Sequence, residues 1–140
     1  MFIEEQQCID LEVYYKKHGY IYECRTKGEF NQGDISEVDK SKYSKLTVKM
    51  KILDWAAYNT LQESSMVDDP LTQDRKFNYK VYKETRLKYL LQGWDAKDKD
   101  GNPIPINPAS LGKLAPAIGE AILRAYDEES FLDKDEEKNS

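Results

Sequence analysis

The sequence predicts an α+β fold, in which an N-terminal antiparallel β-hairpin and a third strand pack against three to four C-terminal helices. Three observations lead there. Residues 9–16 and 45–52 alternate apolar and polar side chains with period two. From Trp55 onward the apolar residues recur at three- and four-residue spacing instead. All strand-like segments precede the helix-like ones, an order that argues against alternating α/β units.

In the first strand Ile9, Leu11, Val13 and Tyr15 alternate with Asp10, Glu12, Tyr14 and Lys16. His18-Gly19 is a turn, and the β-favouring run Tyr20 to Arg25 completes the hairpin. Thr26 to Ser44 holds two glycines and little apolar content, so a long, mobile loop is expected there. The third strand is the clearest: Leu46, Val48, Met50 and Ile52 alternate with Lys45, Thr47, Lys49 and Lys51.

Asp54 is the expected N-cap of a first helix starting at Trp55, with Trp55, Tyr58 and Leu61 as its buried set. The segment Val67 to Thr72 breaks it. A longer helix is predicted from Gln73 to Gly93, its apolar stripe made of Leu87, Leu90, Leu91 and Trp94. Its exposed positions carry Arg75, Lys76, Lys80, Lys83, Arg86 and Lys88 against Asp74 and Glu84, a local excess of +4. Asp95 to Asn107 is a loop with a tight turn at Asp100-Gly101-Asn102-Pro103. Asn107-Pro108 opens a short helix through Lys113. Pro116 opens the last one, where Leu114, Ile118, Ile122 and Ala125 form the stripe.

These elements make one domain over residues 1–129, followed by an acidic, disordered tail over 130–140. The chain is 39% apolar and 34% charged, with a net charge of −5. From Asp127 to Ser140 seven acids face two lysines, so the other 126 residues sum to zero. A neutral body argues against nucleic acid as a partner. No apolar run is long enough to span a bilayer, and the Met1-Phe2-Ile3-Glu4-Glu5 start has no export-signal pattern, so the cytoplasm is expected. Cys8 and Cys24, sixteen positions apart, are expected to be reduced and buried as small apolar residues.

No catalytic, cofactor or metal set is found. His18, the single histidine, sits beside Gly19 in a turn, where a general base cannot be held rigidly. One His and two distant Cys do not make a zinc site. Asp95 to Asn107 resembles a calcium loop, but with Gly101 at the sixth position Ala96 and Asn107 fall at the first and twelfth, where acids are needed. No glycine pattern cradles phosphate. The expectation is a protein that works by binding other proteins. Ten tyrosines with Trp55 and Trp94 exceed the usual needs of such a core, and Tyr and Trp are typical interface anchors. The candidate partner-binding residues are Tyr14, Trp55, Tyr58 and Trp94, with Lys76, Lys80 and Lys83 of the basic helix.

The C-terminal half also has a recognisable texture. The run Arg86-Leu-Lys-Tyr-Leu-Leu-Gln-Gly-Trp94 leads into Asp95-Ala-Lys-Asp-Lys-Asp-Gly-Asn-Pro-Ile-Pro-Ile106, then Leu114-Ala-Pro-Ala-Ile-Gly-Glu-Ala-Ile122. Over Trp55 to Tyr126 this resembles small tailed-bacteriophage proteins, the tail assembly chaperones and related tail-morphogenesis proteins. The resemblance implies a non-enzymatic protein that holds the tape-measure protein and tail-tube subunits, with several copies on one client. A tail-completion or head–tail joining component of the virion is the alternative, and a host-directed inhibitor protein a further one.

Overall fold

The computed structural model describes residues 1–3, 7–32 and 34–139, with side chains to residue 130. It is an α+β fold. The hairpin consists of β1 (Cys8–His18) and β2 (Ile21–Thr26), joined by a two-residue turn at Gly19-Tyr20. Gly19 has φ +60°, the left-handed conformation that glycine adopts at no steric cost. On its other side β1 pairs antiparallel with β3 (Ser44–Lys51), so that Leu11 faces Val48 and Val13 faces Leu46.

Both predicted alternations hold: Leu11, Val13, Leu46, Val48 and Met50 are buried, while Lys45 and Lys49 point out. Residues expected to form one mobile loop contain two short helices, α1 (Lys27–Asn31) and α2 (Glu37–Lys40), capped by Thr26 and Ser36. Gly33 of that stretch lies outside the described residues.

Helix α3 (Trp55–Ser64) begins as expected, with the Ala57 N–H donating to Asp54 Oδ1 at 2.8 Å. Its burial is a correction. Leu61 is buried, but Trp55 is 78% exposed and Tyr58 43%, because α3 packs on α4 and contributes no residue to the core between the sheet and α6. The predicted helix over Gln73 to Gly93 also needs correcting, at both ends. Its first residues form β5 (Arg75–Phe77), which pairs with β4 (Met66–Asp68) in a two-stranded ribbon. Helix α4 starts only at Tyr79, capped by Asn78, and ends at Leu90.

Leu91–Trp94 is then β6, a fourth strand beside β3, giving the sheet order β2-β1-β3-β6 with every neighbour antiparallel. Either conformation would bury Leu90 and Leu91. The strand also gives the backbone edge of β3 a hydrogen-bonding partner, which a continued helix would leave unpaired.

After β6 the loop folds back on itself. Lys97 bridges to Pro103, and Asp98 Oδ1 accepts from the Asp100 and Asn102 N–H groups at 2.9 Å. Helix α5 (Pro108–Gly112) is capped by Asn107, and α6 runs Pro116–Asn139. The backbone is thus helical through the stretch 130–140 that the sequence sets apart as a tail, up to Asn139. Ile118, Ala121, Ile122, Ala125 and Tyr126 of α6 close the core over the sheet. Among the described residues no helix is long and apolar enough to cross a membrane.

The cysteines are half-buried. Cys24 lies opposite Tyr15 and Cys8 opposite Lys51, seven residues apart along β1. That is about 23 Å at the strand rise, out of disulfide reach.

Candidate protein-binding surface

Two of the predicted anchors belong to the fold itself. Tyr14 stacks flat on Phe30 of α1, with ring centroids 3.9 Å apart, and donates its hydroxyl to Glu12 at 2.6 Å. Burial, with help from that carboxylate, pushes the phenol up to about 12. Trp94 packs against the core, and its Nε1–H donates to the Ile104 carbonyl at 2.7 Å, tying the 95–104 loop to β6.

The other aromatics gather elsewhere. Trp55 and Tyr58, one helical turn apart on α3, lie with their rings 6.2 Å apart and near parallel. Across from them, Phe77 and Tyr79 flank Tyr82, at centroid distances of 5.1 and 6.4 Å. Burial raises the Tyr82 phenol and the Arg86 cation opposes that, while Tyr58, Asp127 and Tyr79 add smaller upward effects. Trp55, Tyr58, Phe77 and Tyr79 all keep between 43% and 78% of their surface open to solvent. Because α3 packs on α4 and Tyr58 is near enough to Tyr82 to act on its phenol, the two groups make up an aromatic ledge spanning α3, β5 and the start of α4. On its far side Trp55 and Tyr58 border an open recess lined also by Leu53 and Met1 to Ile3.

The sequence finds half of this ledge. Phe77 and Tyr79 are missed because they fall inside the over-long predicted helix. The signal that places them is the N-cap Asn78, whose Oδ1 accepts from the Val81 N–H at 3.0 Å and starts α4 there.

The basic positions divide differently from the prediction. Lys76 sits on β5 and pairs with Asp69 at 3.0 Å. Asp69 is held below its ordinary range by the Leu71 backbone N–H first and Lys76 second. Lys83 pairs with Glu120 of α6 at 2.6 Å and lies 5.3 Å over the Tyr79 ring. Lys80 stands on the same helix, exposed. Arg86 does not belong to this face: it is 5% exposed, paired with Asp127 and held between the Tyr82 and Tyr126 rings. Arg75 is tied to Glu63 and Asp68. So the surface is aromatic first, with lysines at its margin that are mostly already paired.

His18 closes β1 opposite Ile21 and meets Glu23 at 3.0 Å, in a surface cluster with Lys16 and Arg25. Among the described residues no three His, Cys, Asp or Glu side chains group as metal ligands. A scan against protein-family models and searches of curated proteins and of solved structures return no match.

Proposed function

We propose that this chain acts by binding other proteins, as a non-enzymatic tail assembly chaperone of a tailed phage that holds its client in the cytoplasm of the infected cell. One observation carries the binding part: Trp55, Tyr58, Phe77 and Tyr79 are four large aromatic side chains left open to solvent on the packed pair α3 and α4 and the adjoining β5. Exposed apolar patches of this kind serve as docking surfaces. Tyr and Trp also bring large contact area at low conformational cost.

The apolar face of an amphipathic client helix fits such a ledge, and the tape-measure protein and tail-tube subunits are the clients that the phage-like texture of Arg86 to Ile122 suggests. Of the lysines at the margin, Lys76 and Lys83 are paired with Asp69 and Glu120, and the exposed Lys80 favours acidic residues on the client's flank.

The test is co-purification from infected cells of the native chain and a Trp55→Ala/Tyr79→Ala variant. A very long helical protein retained by the first and lost by the second supports the proposal. Equal recovery with both, or none with either, overturns it. Mass spectrometry of finished particles then separates a chaperone, absent from the virion, from a tail-completion component, present in it.

A further inference from the structure

On the side of α4 that faces α6, α4 and the α5–α6 corner enclose a groove of about 530 Å³, which shares Lys80 and Lys83 with the margin of the aromatic ledge. Its floor is apolar, made by Leu87, Leu111, Leu114 and Leu123, and Lys80, Lys83 and Lys88 stand on its rim with Glu84 and Glu120. Lys83 and Glu120 neutralise each other at 2.6 Å, leaving Lys80 and Lys88 on either side of Glu84. Two glycines open the wall. At Gly112 an added Cβ would meet nothing within 4 Å, and at Gly119 only Leu114 Cδ2 at 3.7 Å. Neither has a positive φ. The fold of the single chain therefore requires glycine at neither position, and in the first turn of α6 Gly119 is a poorer helix former than alanine. What the two glycines provide is room.

We propose that this groove receives the acidic segment 129–139 of α6 from a second copy of the chain. Charge argues for this occupant. Asp127 and Glu128 are held within the chain by Arg86 and Thr26, and beyond them the segment 129–139 still carries five acids against two lysines, a net charge of −3. Its one apolar pair, Phe131-Leu132, is flanked by acids on both sides, the composition that an apolar floor with lysines on its rim accepts.

Continuity of the helix argues that the segment comes from another copy. The start of α6, at Gly119 to Leu123, forms one wall of the groove, and no glycine or proline interrupts the helix from Glu120 to Asn139. Residue 131 thus lies roughly 12–18 Å further along the same axis and cannot turn back into the groove. A groove on one copy filled by a segment of the next is a head-to-tail contact. Unless its rotation closes a ring, it extends into a row. The inference does not depend on what the aromatic ledge binds.

Sedimentation velocity of the full chain across a concentration series tests it, on four forms: native, Gly112→Phe, Lys80→Glu/Lys88→Glu, and Asp133→Lys/Asp135→Lys/Glu136→Lys. The native chain should rise above its 16.3 kDa monomer mass with concentration. Each variant alone should associate about tenfold more weakly, and mixing the two charge-reversed variants should restore association. Circular dichroism establishes that each variant is folded. An added Cβ at Gly112 meets nothing within 4 Å, so Gly112→Phe, if circular dichroism shows it folded, decides the matter should a charge-reversed form unfold. A native chain that stays monomeric, or variants that associate as tightly as it does, overturns the proposal.

Discussion

Arg86 of α4 reaches Asp127 of α6 with its guanidinium between two tyrosine rings, 5.1 Å from the Tyr82 centroid and 5.6 Å from that of Tyr126. The arginine side chain is 6% exposed and the aspartate 46%. A cation in this position is desolvated, and its cost is offset by one carboxylate and two ring faces. The pair clamps the two helices together where α6 leaves the core.

Removing the carboxylate should therefore cost more than its exposure suggests. Asp127→Ala leaves Arg86 charged and nearly buried, and should destabilise by about 1–3 kcal/mol. Arg86→Met/Asp127→Ala, which removes both charges, should recover part of that loss. Urea denaturation of the single and double variants measures the coupling. A double variant less stable than Asp127→Ala would contradict this account.

Thr26 is fully buried and joins three elements: its Oγ1 accepts from the Glu29 N–H at 3.2 Å and donates to Glu128 Oε1 at 2.9 Å. Thr26→Val keeps the shape but loses the cap of α1 and the bond to α6. Stability should fall by about 1–2 kcal/mol, while Thr26→Ser should stay close to native. Chemical denaturation distinguishes the two.

Glu29 completes that capping box and accepts from Arg124 at 2.9 Å. Burial alone would raise its carboxyl, but the hydrogen bonds from Arg124 and Thr26 outweigh it and the net shift is downward. A carboxyl depressed in the folded state binds fewer protons there than when unfolded. Its contribution is present above the ordinary glutamate value of about 4.3 and is lost as pH falls through the folded value. Glu23, lowered first by its bond to His18, acts in the same direction. The melting temperature should drop on acidification below about pH 4, and Glu29→Gln should flatten that limb.

Gly119→Ala should stabilise the isolated chain by about 0.5–1 kcal/mol, since α6 gains a helix-favouring residue and its Cβ meets only an ordinary contact. Thermal unfolding at low protein concentration checks this. A lower melting temperature would mean that the site is more crowded than it looks.

Trp55→Ala should change stability by no more than about 0.5 kcal/mol, because the ring is 78% exposed. Core truncation behaves otherwise: Leu90→Ala, at 0% exposure, should cost about 2–5 kcal/mol. A large loss at Trp55 would make it a packing residue and remove the central support for the ledge.

What local chemistry decides could be read from the sequence by itself. The period-two alternation of β1 and β3, the caps at Asp54 and Asn107, and the stripe of Ile118, Ile122 and Ala125 each depend on residues within a few positions of one another. They appear as expected, except that Leu114 of the predicted stripe lies before α6 begins at Pro116 and Ile52 lies past the end of β3 at Lys51.

Only the tertiary structure decided what depends on a distant partner. Leu87, Leu90, Leu91 and Trp94 fit a helical stripe, yet the chain leaves the helix after Leu90 because the open edge of β3 offers hydrogen bonds. Trp55 and Tyr58 have the spacing of a buried face, yet α3 packs on α4 rather than on the sheet core and among the described residues they stay exposed. Arg86 has the spacing of a solvated face but meets Asp127, 41 residues away. Spacing sets which side chains share a face, and what lies opposite that face sets whether it is core, clamp or binding surface.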